Sequence, residues 1–421
     1  MKNAIMNVKM AMVGLACFWS VPISLSAIEI VSPQVGAEIC CLKPGQQAFL
    51  GNDCQERRAK FVDREWRHHV ACDVGGDPLP IRLMWRNANG LCKVCVGYDG
   101  KTFLATNLVG NSVEVWNLEI AREYVWTVCD STSVVTGRFS TADIAPRSIH
   151  LPNVANVRDL GGRIGLQGRR VRQGLVYRSG GLNKNAHVYY SAKEVMGFYN
   201  AGLLESKFGE QGRKVKEQII RDKGEFKFDP HAPFLRKSLI KKECKGATNM
   251  TDESLVYATT VLGWKTDIDL RRDNEIWGME GSPAGAQVKW LNYPSAAYGG
   301  MGTKKGKDAF VHVFRAFLAE ENYPIVFHCI AGADRTGAVA YILNALLGVS
   351  DQELDKDWEF TAFTNESSGF VHEARYDKLK AVFAGCKGTN TMQRVESYVK
   401  GLGFTDKDIS HFRKIMLEDG K

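Results

Sequence analysis

The stretch that most restricts the fold of this chain is Tyr323 to Leu347, YPIVFHCIAGADRTGAVAYILNALL. Ile325, Val326 and Phe327 after Pro324 have strand character. His328 and Cys329 follow, and a loop bearing Gly332 ends at Arg335, Thr336 and Gly337 before an apolar helical segment. Between strand and helix stand a cysteine, five residues and an arginine. That spacing suits a phosphate, because the amides of a tight loop at a helix N-terminus point inward and bind an anion without side-chain charge. Arg335 is placed to clamp two phosphate oxygens with its fork of donors. Cys329 shares the same positive field, so its thiol is expected to ionise well below the free value of about 8.5. It is the candidate nucleophile.

The full string HCIAGADRTG, set between strand and helix, resembles the signature loop of the cysteine-dependent protein tyrosine phosphatases. Three further strings narrow the likeness: Asn156 to Gly162 (NVRDLGG), Gly174 to Gly180 (GLVYRSG), and Asp269-Leu270-Arg271 followed by Glu275. They resemble the bacterial secreted tyrosine phosphatases, whose loop carries an Asp before the Arg. The likeness runs from about Leu151 to the C-terminus. It implies an α/β phosphatase domain with a central, mostly parallel sheet, in which the Cys329 thiolate attacks phosphorus and water releases the phosphocysteine. Ile330, Ala331, Gly332, Ala333, Asp334, Arg335 and Thr336 would hold the phosphate, with Thr336 also donating to the sulfur as it departs. His328 would support the Cys329 backbone.

Arg158 and Asp159 are then framework residues that orient the loop; without the resemblance they read as a charged surface turn. Asp269 and Arg271 lie at the carboxyl end of an expected strand, where groups face the ligand crevice of an α/β sheet. They brace the site or form a structural ion pair.

A phosphate ester also needs a proton for its leaving oxygen. The resemblance places that acid as an Asp after a Pro, but here the segment reads Tyr293-Pro294-Ser295, with no carboxylate. Asp334 is the first candidate and Asp308 the second. Asp334 could instead tune the loop or meet a substrate hydroxyl. The expected substrate is a phosphorylated protein, with a phosphoinositide or inositol phosphate as the alternative. A surface protein that only binds phosphate or a polymer is the remaining reading, favoured by the missing Pro-Asp. Neither a metal nor a cofactor is expected.

The rest of the chain sets the context. Its 421 residues make two to three domains on size alone. A net charge of +8 suits a phosphorylated ligand, though a solvated basic surface accounts for it equally, and no nucleic-acid partner is expected. Residues 1–27 read as an export signal: Lys2 and Lys9 precede the apolar run Met10 to Leu25, which ends in small residues. Export to the periplasm or beyond is expected; Gly14 to Cys17 offers a weaker lipidation site. No later stretch is apolar for long enough to span a bilayer.

Residues 28–146 show short β-type runs at Ile81 to Trp85, Cys92 to Tyr98, Ser112 to Leu118, Tyr124 to Cys129 and Ser133 to Ser140, separated by Gly and Asn turns. An all-β sandwich of fibronectin or immunoglobulin type is expected, and Tyr124 resembles the corner tyrosine of a fibronectin type III module. Seven cysteines from Cys40 to Cys129 are disulfide candidates. Arg57, Arg58, Lys60, Arg64, Arg67, His68 and His69 are expected to form a basic face on this domain. The phosphatase-like domain then occupies residues 147–421, with a basic insertion at about 183–246.

Overall fold

The computed structural model describes residues 28–63, 65–183, 192–224, 250–276, 279–364 and 373–420. The chain falls into two compact units, one from Met1–Cys41 with Pro80–Asp143, the other from Leu42–Leu79 with Ile144–Lys421. The expected export signal lies outside the described residues, as do Arg64 and most of the second half of the basic insertion. No helix among the described residues is long and apolar enough to cross a membrane.

Among the described residues the first unit is built from eight strands: β1 (Glu29–Ser32), β2 (Ala37–Ile39), β3 (Ile81–Arg86), β4 (Leu91–Tyr98), β5 (Lys101–Val109), β6 (Ser112–Val115), β7 (Glu123–Cys129) and β8 (Val134–Thr141). They form a three-stranded sheet in the order β1-β3-β6 and a five-stranded sheet in the order β2-β8-β7-β4-β5. Alternate residues point inward, as the two-residue period of a half-buried strand requires. Leu83, Trp85, Val94, Tyr124, Trp126, Val128 and Phe139 are buried in one core. Register explains Gly137: it faces Trp126 across β7 and β8, and a Cβ there would stand 2.3 Å from the indole nitrogen. The Tyr124 hydroxyl accepts from the Glu119 amide at 2.7 Å, closing a corner five residues upstream. Cys92 and Cys95 are thiols, as are Cys40, Cys54 and Cys129, so the disulfides considered from sequence are not formed among them. An odd spacing on a strand turns Cys92 and Cys95 to opposite faces of the sheet.

Leu42–Leu79 departs from the expected all-β segment and from the domain boundary at 28–146. It carries α1 (Pro44–Gly51), α2 (Cys54–Val62) and a short α3 (Cys72–Val74), and it belongs to the second unit. Pro44 opens α1, and the Asp53 carboxylate caps α2 by accepting from the Glu56 amide at 2.9 Å. Phe49 and Trp66 pack with Phe363 at ring separations of 5.2 to 5.8 Å. The expected basic face is divided accordingly. Arg57 and Arg67 are buried, and Arg57 pairs with Glu359 at 2.8 Å, whereas Arg58 meets Asp377 at the surface.

The second unit is organised on β9 (Arg158–Asp159), β10 (Val176–Ser179), β11 (Thr266–Asp269), β12 (Lys289–Asn292) and β13 (Ile325–His328). Their order is β12-β11-β13-β10-β9; the first four are parallel and β9 runs antiparallel. The helices are α4 (Ala192–Asn200), α5 (Leu204–Arg221), α6 (Asp252–Thr260), α7 (Lys304–Leu318), α8 (Asp334–Leu346), α9 (Asp351–Glu359), α10 (Glu373–Ala384), α11 (Thr391–Lys400) and α12 (Asp406–Met416). Thr251 caps α6 by accepting from the Ser254 amide, and Gly263 beyond it has φ +68°. Helices α4 and α5, within the insertion, share a small core of Val195, Leu204, Val215 and Ile219. The central strand β13 is buried throughout, and so is α8 from Thr336 to Leu346. Everything between β13 and α8 is thereby held on a rigid frame.

The Arg57–Glu359 pair offers a test of this packing. Truncating one partner of a buried ion pair strands the other, at about 3–5 kcal/mol. Arg57→Ala is expected to destabilise the second unit by that order in urea unfolding, while a change below about 0.5 kcal/mol would return Arg57 to a solvated surface.

Candidate active site

Residues 329–333 leave β13 and turn into α8, and each carbonyl of this loop is tied down from behind. His328 Nδ1 meets the Cys329 carbonyl at 3.0 Å, and the Gly181 amide donates to Ile330 O at 2.7 Å. Asn156 Nδ2 donates to Ala331 O at 3.2 Å and to Gly332 O at 3.0 Å. Arg178 Nη2 adds a second bond to Gly332 O at 2.6 Å, and the Gly337 amide reaches Ala333 O at 2.9 Å. Because a peptide group is planar and trans, fixing its carbonyl on one side turns its N–H to the other. None of the amides from Ile330 to Ala333 donates to a protein acceptor among the described residues. Ala333, the N-cap of α8, supplies no side-chain cap either. The loop therefore presents a set of unsatisfied donors at a helix N-terminus, the arrangement that an oxyanion site requires.

Gly332 makes the turn geometrically feasible. Its φ is +67°, and a Cβ would stand 2.5 Å from Ser179 O. No side chain fits that approach.

Cys329 is 2 % exposed at the base of the loop. Burial alone pushes its thiol up, but the Arg335 guanidinium and the hydroxyl and amide of Thr336 more than offset this and bring it below its ordinary value. Thr336 Oγ1 is buried with no oxygen or nitrogen partner among the described residues, which leaves it to the sulfur. Arg335 is oriented by Glu275, whose carboxylate takes Nη1 at 2.5 Å and Nη2 at 3.1 Å, with Nη1 also near Leu270 O at 3.3 Å. This grips the guanidinium end-on. It leaves the side edge, Nε–H and one Nη2–H, for two oxygens of an anion.

The supporting residues sort into layers. His328 Nε2 lies 3.0 Å from Asp267 Oδ1; despite burial, Asp267 and Asp269 hold the imidazole above its ordinary pKa. Arg271 pairs with Asp269 at 2.6 and 2.8 Å, both fully buried, and its Nη1 donates to Asn183 at 2.5 Å. Arg158 bonds Asp357 O at 3.2 Å and Thr361 Oγ1 at 3.3 Å. Asp159 accepts from the Gly161 and Gly174 amides and from Arg147, all at 2.7 Å. Among the described residues no hydrogen bond joins Arg158 to residues 329–333, and the Asp159 bonds above go to other segments. Arg158, Arg163 and Arg178 surround the single carboxylate of Asp357, which burial would raise but the three guanidinium groups hold well below the carboxylate range. Arg163 also approaches the Glu353 carboxylate at 3.9 Å, so these guanidinium groups are partly balanced.

The residues that touch the loop carbonyls, Asn156 and Arg178, were not assigned that task from sequence, and nor was the Glu275 grip. The signal was present in the strings NVRDLGG and GLVYRSG: an arginine inside the buried strand VYRS needs an internal acceptor. Asp334 begins α8, and its Oδ1 accepts from the Tyr298 hydroxyl. Asp308, the second acid candidate, is exposed on α7 and paired with Lys304 at 2.7 Å.

Residues 149–189 and 221–418, more than half of the chain, match the model of the tyrosine phosphatase family. The unmatched interval between them contains most of α4 and α5. A protein of Cupriavidus necator whose name places it among the tyrosine-protein phosphatases is 27% identical over 202 residues, 48% of this chain and 58% of the relative. A tyrosine-protein phosphatase of Nostoc commune is 29% identical over 92 residues, 22% of this chain and 27% of the relative. The matched stretches span less than two thirds of either relative. The matched segments carry β9 to β13 and α6 to α12, the frame on which the loop is built, and the chain belongs to the tyrosine phosphatase family.

Proposed function

We propose that this chain is a metal-independent phosphatase that hydrolyses phosphomonoesters through a phosphocysteine on Cys329. The observation that carries this is the inward set of loop amides above a thiol that Arg335 and Thr336 hold below its ordinary pKa. A phosphoryl group seated there receives hydrogen bonds from the amides and from the free edge of Arg335. These donors are fixed before substrate arrives, so they need no reorganisation as charge develops on the equatorial oxygens. The Cys329 sulfur attacks phosphorus and the bond to the leaving oxygen breaks, with Asp334 giving up its proton to that oxygen. Water then attacks the phosphocysteine, Asp334 takes a proton back, and Thr336 stabilises the departing thiolate.

The substrate we assign is a phosphorylated protein, in keeping with the family. A phosphoinositide or inositol phosphate is a second reading, favoured by Lys304, Lys305 and Lys307, which open α7 only a few residues after Tyr298. We further read residues 1–27 as an export signal and the first unit as a fibronectin type III-like module. The Tyr124 corner and the two-sheet core support the latter.

Turnover of an aryl phosphate is expected to persist in excess chelator and to fall by about a thousandfold or more in Cys329→Ser. Full loss in chelator, or activity retained by the serine variant, would remove the thiolate mechanism. The pH dependence of Cys329 alkylation tests the electrostatics separately. A depressed pKa keeps the thiolate populated until pH falls through that lowered value, so wild-type alkylation should hold up at pH values where an ordinary thiol, near 8.5, no longer reacts. Arg335→Ala should move the midpoint upward by about one unit or more. An unmoved midpoint would show that Arg335 does not set the thiolate.

A further inference from the structure

The loop after β12 lacks the carboxylate expected near Pro294, yet it delivers a side chain to the phosphate loop. Tyr298 stands six residues after the end of β12 with φ +53°, in the left-handed region where an aromatic residue is an outlier. Such a backbone persists only where its surroundings over-determine it. They do so here. The ring packs edge-on against Trp358 at 6.0 Å, Arg375 covers its face at 5.5 Å, and its hydroxyl donates to Asp334 Oδ1. Trp358 is itself stacked on Tyr376 at 4.5 Å, so the ring has little freedom. Burial and the Asp334 charge keep the phenol protonated well beyond its ordinary range, which makes it a permanent donor. The other carboxyl oxygen, Oδ2, has no protein donor among the described residues.

We infer that Tyr298 is a positioning residue for proton transfer by Asp334, fixing one carboxyl oxygen so that the other meets the leaving oxygen. This rests on the assignment of Asp334 as the general acid. When Asp334 loses its proton to the leaving group it becomes a carboxylate, and the Tyr298 hydroxyl stabilises the charge that appears. The benefit exists only when the leaving oxygen needs a proton. A phenol acidic enough to depart as an anion gains nothing.

The test compares phenyl phosphate, whose leaving phenol has a pKa of about 10, with 2,4-dinitrophenyl phosphate. Tyr298→Phe keeps the ring and its packing while deleting the hydroxyl. It is expected to lower kcat on phenyl phosphate by roughly tenfold to a hundredfold, the scale of a hydrogen bond to a charged group. The change on the dinitrophenyl ester should stay within about threefold, since acid catalysis is dispensable there. Asp334→Asn run in parallel separates the two assignments. If Asp334→Asn shows the leaving-group selectivity and Tyr298→Phe does not, whether through no loss or an equal loss on both esters, only the role of Tyr298 is overturned. If Asp334→Asn itself lacks the selectivity, the acid assignment fails and takes this inference with it. With both intact, adding Tyr298→Phe to Asp334→Asn should cost nothing further on phenyl phosphate, because the two act as one unit. Additive losses would contradict the positioning role.

Discussion

The site depends on five consecutive carbonyls being held outward. His328, the Gly181 amide, Asn156, Arg178 and the Gly337 amide take the oxygens of Cys329 through Ala333, and this alone fixes the direction of the intervening N–H groups. Buried backbone groups that remain unpaired cost about as much as a lost hydrogen bond, so a loop with its amides facing empty space is tolerable only on a frame that over-determines it. That frame is the C-terminal edge of β13 and β10 and the start of α8. Strand β10 contributes Arg178, and the Gly180 amide that follows it bonds Ala155 O at 2.8 Å, anchoring the turn that carries Asn156.

Charge is arranged on the same principle. A buried thiolate is unfavourable in isolation, and desolvation is the largest influence on Cys329. Arg335 and Thr336 reverse it at close range, while Glu275 holds Arg335 by one edge and keeps the other presented. Behind the loop, three arginines share Asp357, and one of them, Arg178, carries its charge to the Gly332 carbonyl. Burial weakens screening by salt and water, so these fixed charges act at greater strength than surface groups would.

Much of this could be read from the residues themselves. The strand, loop and helix around Cys329 were legible because an apolar run, a cysteine, a glycine-bearing turn and an arginine each carry a local physical meaning. Strands β3, β4, β6, β7 and β8 of the first unit were legible as short β-type runs between Gly and Asn turns, whereas β1, β2 and most of β5 were not. Three further features were not. The segment Leu42–Leu79 reads as part of the β unit by position, and its helices are short and polar. Their stability comes from Arg57–Glu359 and from Phe49 and Trp66 against Phe363, partners some three hundred residues away. The division of labour among the arginines was equally hidden, since Arg158 and Arg178 look alike until tertiary pairing sends one to Thr361 and the other to Gly332. Tyr298 lay outside any pattern, because its contact with Asp334 is made by a loop whose course follows from packing on Trp358.

The account stands on sulfur acting as the nucleophile beneath those amides. Its most direct measurement is mass spectrometry of the protein quenched in acid within milliseconds of mixing with an aryl phosphate, with peptides mapped to Cys329. A peptide containing Cys329 heavier by one phosphoryl group, absent in Cys329→Ser and accumulating in Asp334→Asn if water attack is slowed, is the predicted result. Product release with no adduct on Cys329 at any time, or the phosphoryl group on another residue, would contradict it.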